Sequence, residues 1–135
     1  MDDSNERKFQ KELNGGLVGL VLLAVLAESE EDLYGYEIAK RLAHANDGTS
    51  IFKEGTIYPV LRALSAGNLL TSRIVPSYSG PPRRYYRITE QGRNVLAEWK
   101  LIWRGTRDFV DRFTEPEPSL SSDGLMASVS QGEIK

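Results

Sequence analysis

Five arginines fall in a stretch of the chain that contains no acidic residue. Between Gly55 and Thr89 there is no Asp or Glu, and the arginines are Arg62, Arg73, Arg83, Arg84 and Arg87. The chain as a whole carries a net charge of −2 at pH 7, so this excess of positive charge is local. Clustered guanidinium groups favour an anionic partner, and duplex DNA carries about one negative charge per 1.7 Å of its axis. Arginines on an exposed ribbon can also be merely solvated, and that alternative stays open here.

The first element that must position these arginines is a short helix. Apolar residues recur at helical spacing at Ile57, Val60, Leu61 and Leu64. They predict a helix that begins at Gly55 or Thr56 and ends at Gly67, a good C′ residue. Pro59 then falls in the first turn, where a missing N–H costs little.

The beginning of this helix carries the candidate DNA-reading side chains. Thr56, Tyr58 and Arg62 are expected to face base edges and phosphates of a major groove, with Pro59 stiffening the approach and Lys53 just before it. Packing of Tyr58 beneath the helix is the alternative.

The second element is a β-hairpin. Two β-rich runs in "LLTSRIVPSYSGPPRRYYRIT" flank a tip of turn formers, "PSYSGPP". In the second run Tyr86 and Ile88 are expected on one face, and Tyr85 and Arg87 on the other. The stiff tip would lie along the DNA backbone beside the helix.

Two helices are expected before these elements. Residues 15–28 include "LVGLVLLAVLA", which is apolar on all sides and too short to span a bilayer, so a buried core helix is the interpretation. A signal peptide is disfavoured by the acidic residues before the run and by "ESEED" after it. "YGYEIAKRLAHA" is the second helix, reached through the polar connection "SEEDLYG" and ended by "NDG" at 46–48.

A long final helix is predicted after Thr89, a plausible N-cap with Glu90 in the first turn. Its side chains follow a heptad spacing at Leu96, Trp99, Trp103, Thr106, Val110 and Phe113, and a second stripe contains Val95, Ile102 and Phe109. Such a seam exposed on one chain predicts a homodimer, although it can also fold back on the first helix of its own chain.

The predicted fold is mainly α with a small β-hairpin, a winged helix-turn-helix followed by a long C-terminal dimerisation helix. Its divisions are a flexible N-terminal extension (1–13), the DNA-binding domain (14–89), the dimerisation helix (90–114) and a disordered tail (115–135). The tail is rich in proline, serine and acidic residues.

Catalysis finds little support in the residues. The chain has no cysteine and one histidine, His44, which lies at a helix end beside turn residues. There is no Gly-x-Ser-x-Gly motif, and Glu30–Glu31 lies in a charged connection. We therefore expect no enzyme activity, no cofactor, no metal site and no membrane partner, and a cytoplasmic location fits the absence of cysteine.

Several motifs together resemble the PadR family of transcriptional regulators. They are "GTIYPVLRAL", "GNLL", "GPPRRYYRITEQGRNVL", "YGYEIAKRL" and "GLVGLVLLAVLAE", which span about residues 14–113. The resemblance implies a homodimeric winged-helix repressor of the short-form branch that binds an inverted-repeat operator. It implies that Thr56, Tyr58, Pro59 and Arg62 begin the recognition helix. It also places Gly80, Pro81, Arg83 and Arg84 in the wing.

The resemblance further implies a sensor. In some relatives, aromatic residues of the final helix line a pore between subunits where planar hydrophobic compounds stack. Leu96, Trp99, Trp103, Val110 and Phe113 are the candidates for the dimer seam and effector contact, with plain interface packing as the other interpretation of the two tryptophans. The remaining alternative for the whole chain is a winged-helix protein-interaction module that does not bind DNA sequence-specifically.

Overall fold

The chain folds into four helices and three short strands. The structure, a computed structural model, describes residues 3–45 and 52–115. The elements are α1 (Asp3–Glu28), β1 (Leu33–Tyr34), α2 (Gly35–Ala45), α3 (Glu54–Ala66), β2 (Leu70–Val75), β3 (Arg83–Ile88) and α4 (Glu90–Thr114). The prediction of a mainly α fold with a hairpin is confirmed. The chain divides into two compact units, Met1–Trp99 and Lys100–Lys135, so the boundary falls inside α4.

Helix α1 is longer than predicted. It begins at Asp3 instead of residue 15, because "ERKFQKEL" consists largely of good helix formers and contains no proline. The whole helix is long and apolar enough to cross a membrane by length and composition, a test that core helices also pass. Val18, Leu22, Leu23 and Leu26 are buried in the core of this protein, as expected for a core helix.

The sheet contains a strand that the sequence did not reveal. "SEEDLYG" was predicted as a connection, yet Leu33–Tyr34 forms β1 and pairs antiparallel with β3, Leu33 opposite Tyr86 and Tyr34 opposite Tyr85. A strand of two residues is too short to produce a period in the sequence. The strand order is β1-β3-β2, with β3 in the centre.

Helix α2 follows β1 directly and confirms the second predicted helix. Ile38 and Leu42 are buried and Ala39 is half-buried, which is the inner stripe that the spacing indicated. The predicted turn at 46–48 lies outside the described residues, as do the side chain of His44 and the tail after residue 115.

Helix α3 begins at Glu54, one position before the predicted start, with Lys53 at the N-cap. Pro59 therefore lies inside the helix and not in its first turn, so it removes one backbone hydrogen bond. Ile57, Leu61 and Leu64 are buried as predicted.

The end of α3 also differs in detail from the prediction. Gly67 has φ of −87° and is not left-handed; the left-handed residue is Asn68, with φ of 66°. The N–H of Asn68 bonds to the carbonyl of Ser65 and that of Leu69 to the carbonyl of Leu64, both at 3.0 Å. This is a Schellman motif with asparagine at C′, a residue that tolerates the left-handed conformation better than most.

The hairpin and the beginning of α4 agree with the sequence. Strands β2 and β3 pair from Leu70 opposite Ile88 to Val75 opposite Arg83. Thr89 caps α4, since its Oγ1 accepts a hydrogen bond of 2.8 Å from the N–H of Gly92. A Cβ at position 92 would lie 2.2 Å from the carbonyl oxygen of Leu69, so only glycine lets α4 begin this close to the hairpin.

Candidate nucleic-acid interface

The outer side of α3 carries mostly short side chains. Thr56, Pro59 and Arg62 are exposed on it, and so are Ala63 and Ala66, while Ile57, Leu61 and Leu64 turn inward. Short side chains let a helix approach a base-pair edge closely, and one long arginine can then reach a phosphate or a base. Lys53 is exposed at the N-cap position and makes no side-chain cap hydrogen bond.

Tyr58 packs inward more than the DNA-reading prediction assumed. It is half-buried against the core, and a Cβ built on Gly35 would lie 2.3 Å from its Cε1 atom. Burial raises the pKa of the Tyr58 hydroxyl, and the negative charge of Glu54 adds to the rise, so the O–H stays a hydrogen-bond donor at neutral pH. The ring of Tyr58 therefore packs inward, as the alternative interpretation has it. Tyr58 also lines a groove beside the wing.

A groove of about 330 Å³ separates α3 from the wing, which is the hairpin formed by β2, β3 and the tip between them. Its lining residues are Tyr34, Gly35, Tyr36, Tyr58, Arg62, Pro82, Arg83, Arg84 and Tyr86. Three are arginines and, among the residues that the structure describes, none of the lining side chains is a carboxylate. Burial raises the pKa of Tyr86 at the floor of the groove, although Arg84 and Arg62 oppose the shift. The groove suits an anionic group such as a backbone phosphate.

Arg83 and Arg84 are consecutive residues of β3, so their side chains lie on opposite faces of the wing. The Arg83 guanidinium lies over the ring of Tyr34, 4.6 Å from its centroid, and Arg84 Nη1 donates to Ser72 Oγ at 3.0 Å. Both arginines are exposed, as are Gly80 and Pro81 at the tip. These neighbours orient the two guanidinium groups without neutralising their charge.

Two arginines farther from the tip, Arg73 in the middle of the hairpin and Arg87 near its base, do have a carboxylate partner, so the arginines do not form one uniform patch. Asp32 accepts hydrogen bonds from Arg73 Nε at 2.9 Å and from Arg87 Nε at 2.5 Å. Desolvation acts to raise the pKa of Asp32, but the bonds and charges of the two arginines outweigh it and hold the pKa below its usual value. Sequence reasoning missed Asp32 because it lies outside the arginine-rich window, just before the unrecognised strand β1.

The predicted seam of α4 divides into two parts. Leu96 is buried in the core of its own chain, and Trp99 packs partly against it, with its Cζ3 atom 3.5 Å from a Cβ built on Gly19. Leu96 thus already has its packing partners within one chain. In the second unit Trp103 is half-buried, whereas Val110 and Phe113 are exposed together with Leu101, Ile102 and Phe109.

Comparison with known proteins identifies the family. A sequence profile of the transcriptional regulator PadR-like family matches residues 22–98, more than half of the chain. The chain belongs to the PadR-like family. An uncharacterised protein of Lysinibacillus sphaericus is 30% identical over 103 residues, which cover 76% of this chain and 92% of the relative.

PadR-like structures have the same fold. A PadR family transcriptional regulator from Eggerthella lenta is 32% identical with a TM-score of 0.67, over 85% of this chain and 96% of the other. A transcriptional regulator from Clostridium thermocellum is 28% identical with a TM-score of 0.69, over 77% and 99%. This PadR-like chain is therefore a DNA-binding transcriptional regulator with a winged-helix fold, in a family whose members typically dimerise.

Proposed function

We propose that the protein is a cytoplasmic repressor that binds an inverted-repeat operator as a homodimer. In this proposal α3 enters the major groove through Thr56, Pro59 and Arg62, and the wing contacts the adjoining backbone through Arg83 and Arg84. The observation that carries it is the groove between α3 and the wing, which three arginines line and where none of the described lining residues is acidic. A two-fold dimer would read two half-sites about one helical turn apart.

The dimer part of the proposal rests on the second half of α4. Phe113 is 73% exposed, and Leu101 and Ile102 are 65% and 64% exposed within one chain. Apolar side chains in such number along one helix are usually covered by a partner. We propose that a second copy covers them, with Trp103, Val110 and Phe113 in the interface.

The test is DNA binding measured by fluorescence anisotropy on fragments from upstream of the protein's own gene and on random duplexes. Three arginines per protomer predict about six phosphate contacts per dimer, so affinity should fall about a thousandfold between 50 and 200 mM salt. A protein-interaction module would bind neither duplex appreciably, and that result would refute the proposal. Repressor activity is tested by derepression of a reporter when the gene is deleted.

We also propose that a small planar aromatic compound releases the repressor by contact with Trp99 and Trp103. Such a ligand acts only through a higher affinity for a dimer geometry that fits the operator less well. Ligand binding should quench tryptophan emission, and the variant Trp99→Phe/Trp103→Phe should respond to it much less. If the ligand still abolished operator binding by that variant, the effector site would have to lie elsewhere in the protein.

A further inference from the structure

The N-terminal half of α1 and the beginning of α3 enclose a second groove, of about 580 Å³. Its lining residues are Arg7, Gln10, Lys11, Asn14, Gly15, Lys53 and Thr56. Five of them come from the part of α1 that precedes the apolar core run. This groove lies apart from the one between α3 and the wing, since the two share no lining residue.

The groove is basic because one face of α1 turns toward it. Positions 7, 10, 11 and 14 follow the spacing of one helical face, and Gln10 Nε2 donates to Asn14 Oδ1 at 2.8 Å along it. Glu6 and Glu12 lie about 100° and about 140° around the helix from Arg7. Among the described residues, the side chains that line this groove include three cations and no carboxylate.

The two helices run in the same direction. Gly19 of α1 lies beside Val60 of α3, and Gly15 lines the groove with Thr56, so the N-terminal ends of both helices point to the same end of the fold. Residues 3–14 of α1 then extend about 18 Å farther, at about 1.5 Å per residue. The extension therefore continues past the first turn of α3, at the end of the fold that the proposed function turns toward DNA.

We propose that the groove between α1 and α3 binds a phosphate of the DNA backbone through Arg7, Lys11 and Lys53. The inference rests on the proposed function, because it places the added contact next to the turn of α3 that approaches DNA. Its charge complements the backbone, and Lys53 and Thr56 make it continuous with the proposed interface. Contact with a second copy of the chain suits the opposite face of α1 better, where Phe9 and Leu13 are 66% and 41% exposed.

The experiment compares salt slopes of binding to a random duplex for the full chain and for Arg7→Gln/Lys11→Gln, which keeps helix propensity. One phosphate per groove and two grooves per dimer predict a slope shallower by about 1.8. Arg7→Lys/Lys11→Arg, which keeps both charges, should retain the original slope. Lys8→Gln, on the same helix but outside the groove, should leave the slope unchanged.

Several outcomes would overturn the inference without touching the proposed function. Equal slopes for Arg7→Gln/Lys11→Gln and Lys8→Gln would mean that the position of the charge does not matter, and would reject the groove. A shallower salt slope for Arg7→Lys/Lys11→Arg would reject the groove as well. So would a changed oligomeric state of Arg7→Gln/Lys11→Gln in gel filtration. An unchanged slope in the Gln pair, with a reduced slope in Arg83→Ala/Arg84→Ala, would leave the proposed function standing alone. Absence of DNA binding by the unmodified protein would remove both.

Discussion

The hairpin uses the same residue type in opposite ways near its tip and farther from it. Farther from the tip, Arg73 and Arg87 share one carboxylate, Asp32, and fasten the short strand β1 to the sheet. Near the tip, Arg83 lies over an aromatic ring and Arg84 donates to a hydroxyl, so both keep their full charge for an external anion. A count of arginines cannot separate these roles, because the neutralising group comes from a distant part of the chain.

The largest expected effect is on the tip. Arg83→Ala/Arg84→Ala removes two unneutralised charges per protomer, and four per dimer should make the salt slope shallower by about 3.6. The loss should be similar on operator and random duplexes, because phosphate contacts carry no sequence information. Anisotropy titrations at several salt concentrations measure it.

The matched control for that prediction is Arg73→Ala/Arg87→Ala, farther from the tip. It removes the same number of arginines from the same hairpin, one from β2 and one from β3, yet the salt slope should change by less than half as much. Equal salt slopes for the two double variants would mean that pairing with Asp32 does not keep Arg73 and Arg87 from contacting DNA. A loss confined to the operator in the tip variant would argue against phosphate contacts there.

A smaller effect is expected at Asp32. Asp32→Asn removes the charge that two arginines share, so the free energy of unfolding should fall by about 1 kcal/mol, a modest value because both arginines are 60% exposed. The same change frees two guanidinium groups and should strengthen binding to random DNA. Urea unfolding and anisotropy measure the two effects, and unchanged stability together with unchanged affinity would contradict both roles.

The smallest expected effect is a pH dependence of that stabilisation. The pKa of Asp32 is lower in the folded protein than its ordinary value of about 3.9. Its contribution is therefore fully present above about pH 5 and is lost as the pH falls below 4 through the folded-state pKa. The stability difference between the unmodified protein and Asp32→Asn should be constant from pH 5 to 7 and shrink toward pH 3. A difference that grows on acidification would reverse the assigned sign.

The sequence predicted the elements with strong local signals. The hairpin followed from alternation around a proline-rich tip, and the beginning of α4 followed from the capping residue Thr89, which the structure confirms. Strand β1 gave no signal because two residues define no period, and Asp32 was missed with it. The left-handed residue after α3 was assigned to Gly67 and belongs to Asn68, since either residue type can occupy that conformation.

For the candidate site, local sequence gave the residue types but not their surroundings. Arg62, Arg83 and Arg84 were named from charge and from the family motif, and the structure brings them to one groove. The groove beside α1 was not foreseen, because Arg7 and Lys11 are separated from Lys53 by a long stretch of chain. Its recognition required knowing that α1 continues as a helix to Asp3.

The missing side chain of Gly35 has a consequence for how the interface can vary. A single methyl group there would meet the ring of Tyr58, which lines the same groove as Arg62, Arg83 and Arg84. The room in which those arginines can hold an anion is thus limited in part by Gly35, a residue that lines the groove without a side chain of its own. Substitutions at Gly35 would change how the groove holds an anion while leaving every arginine of the interface in place.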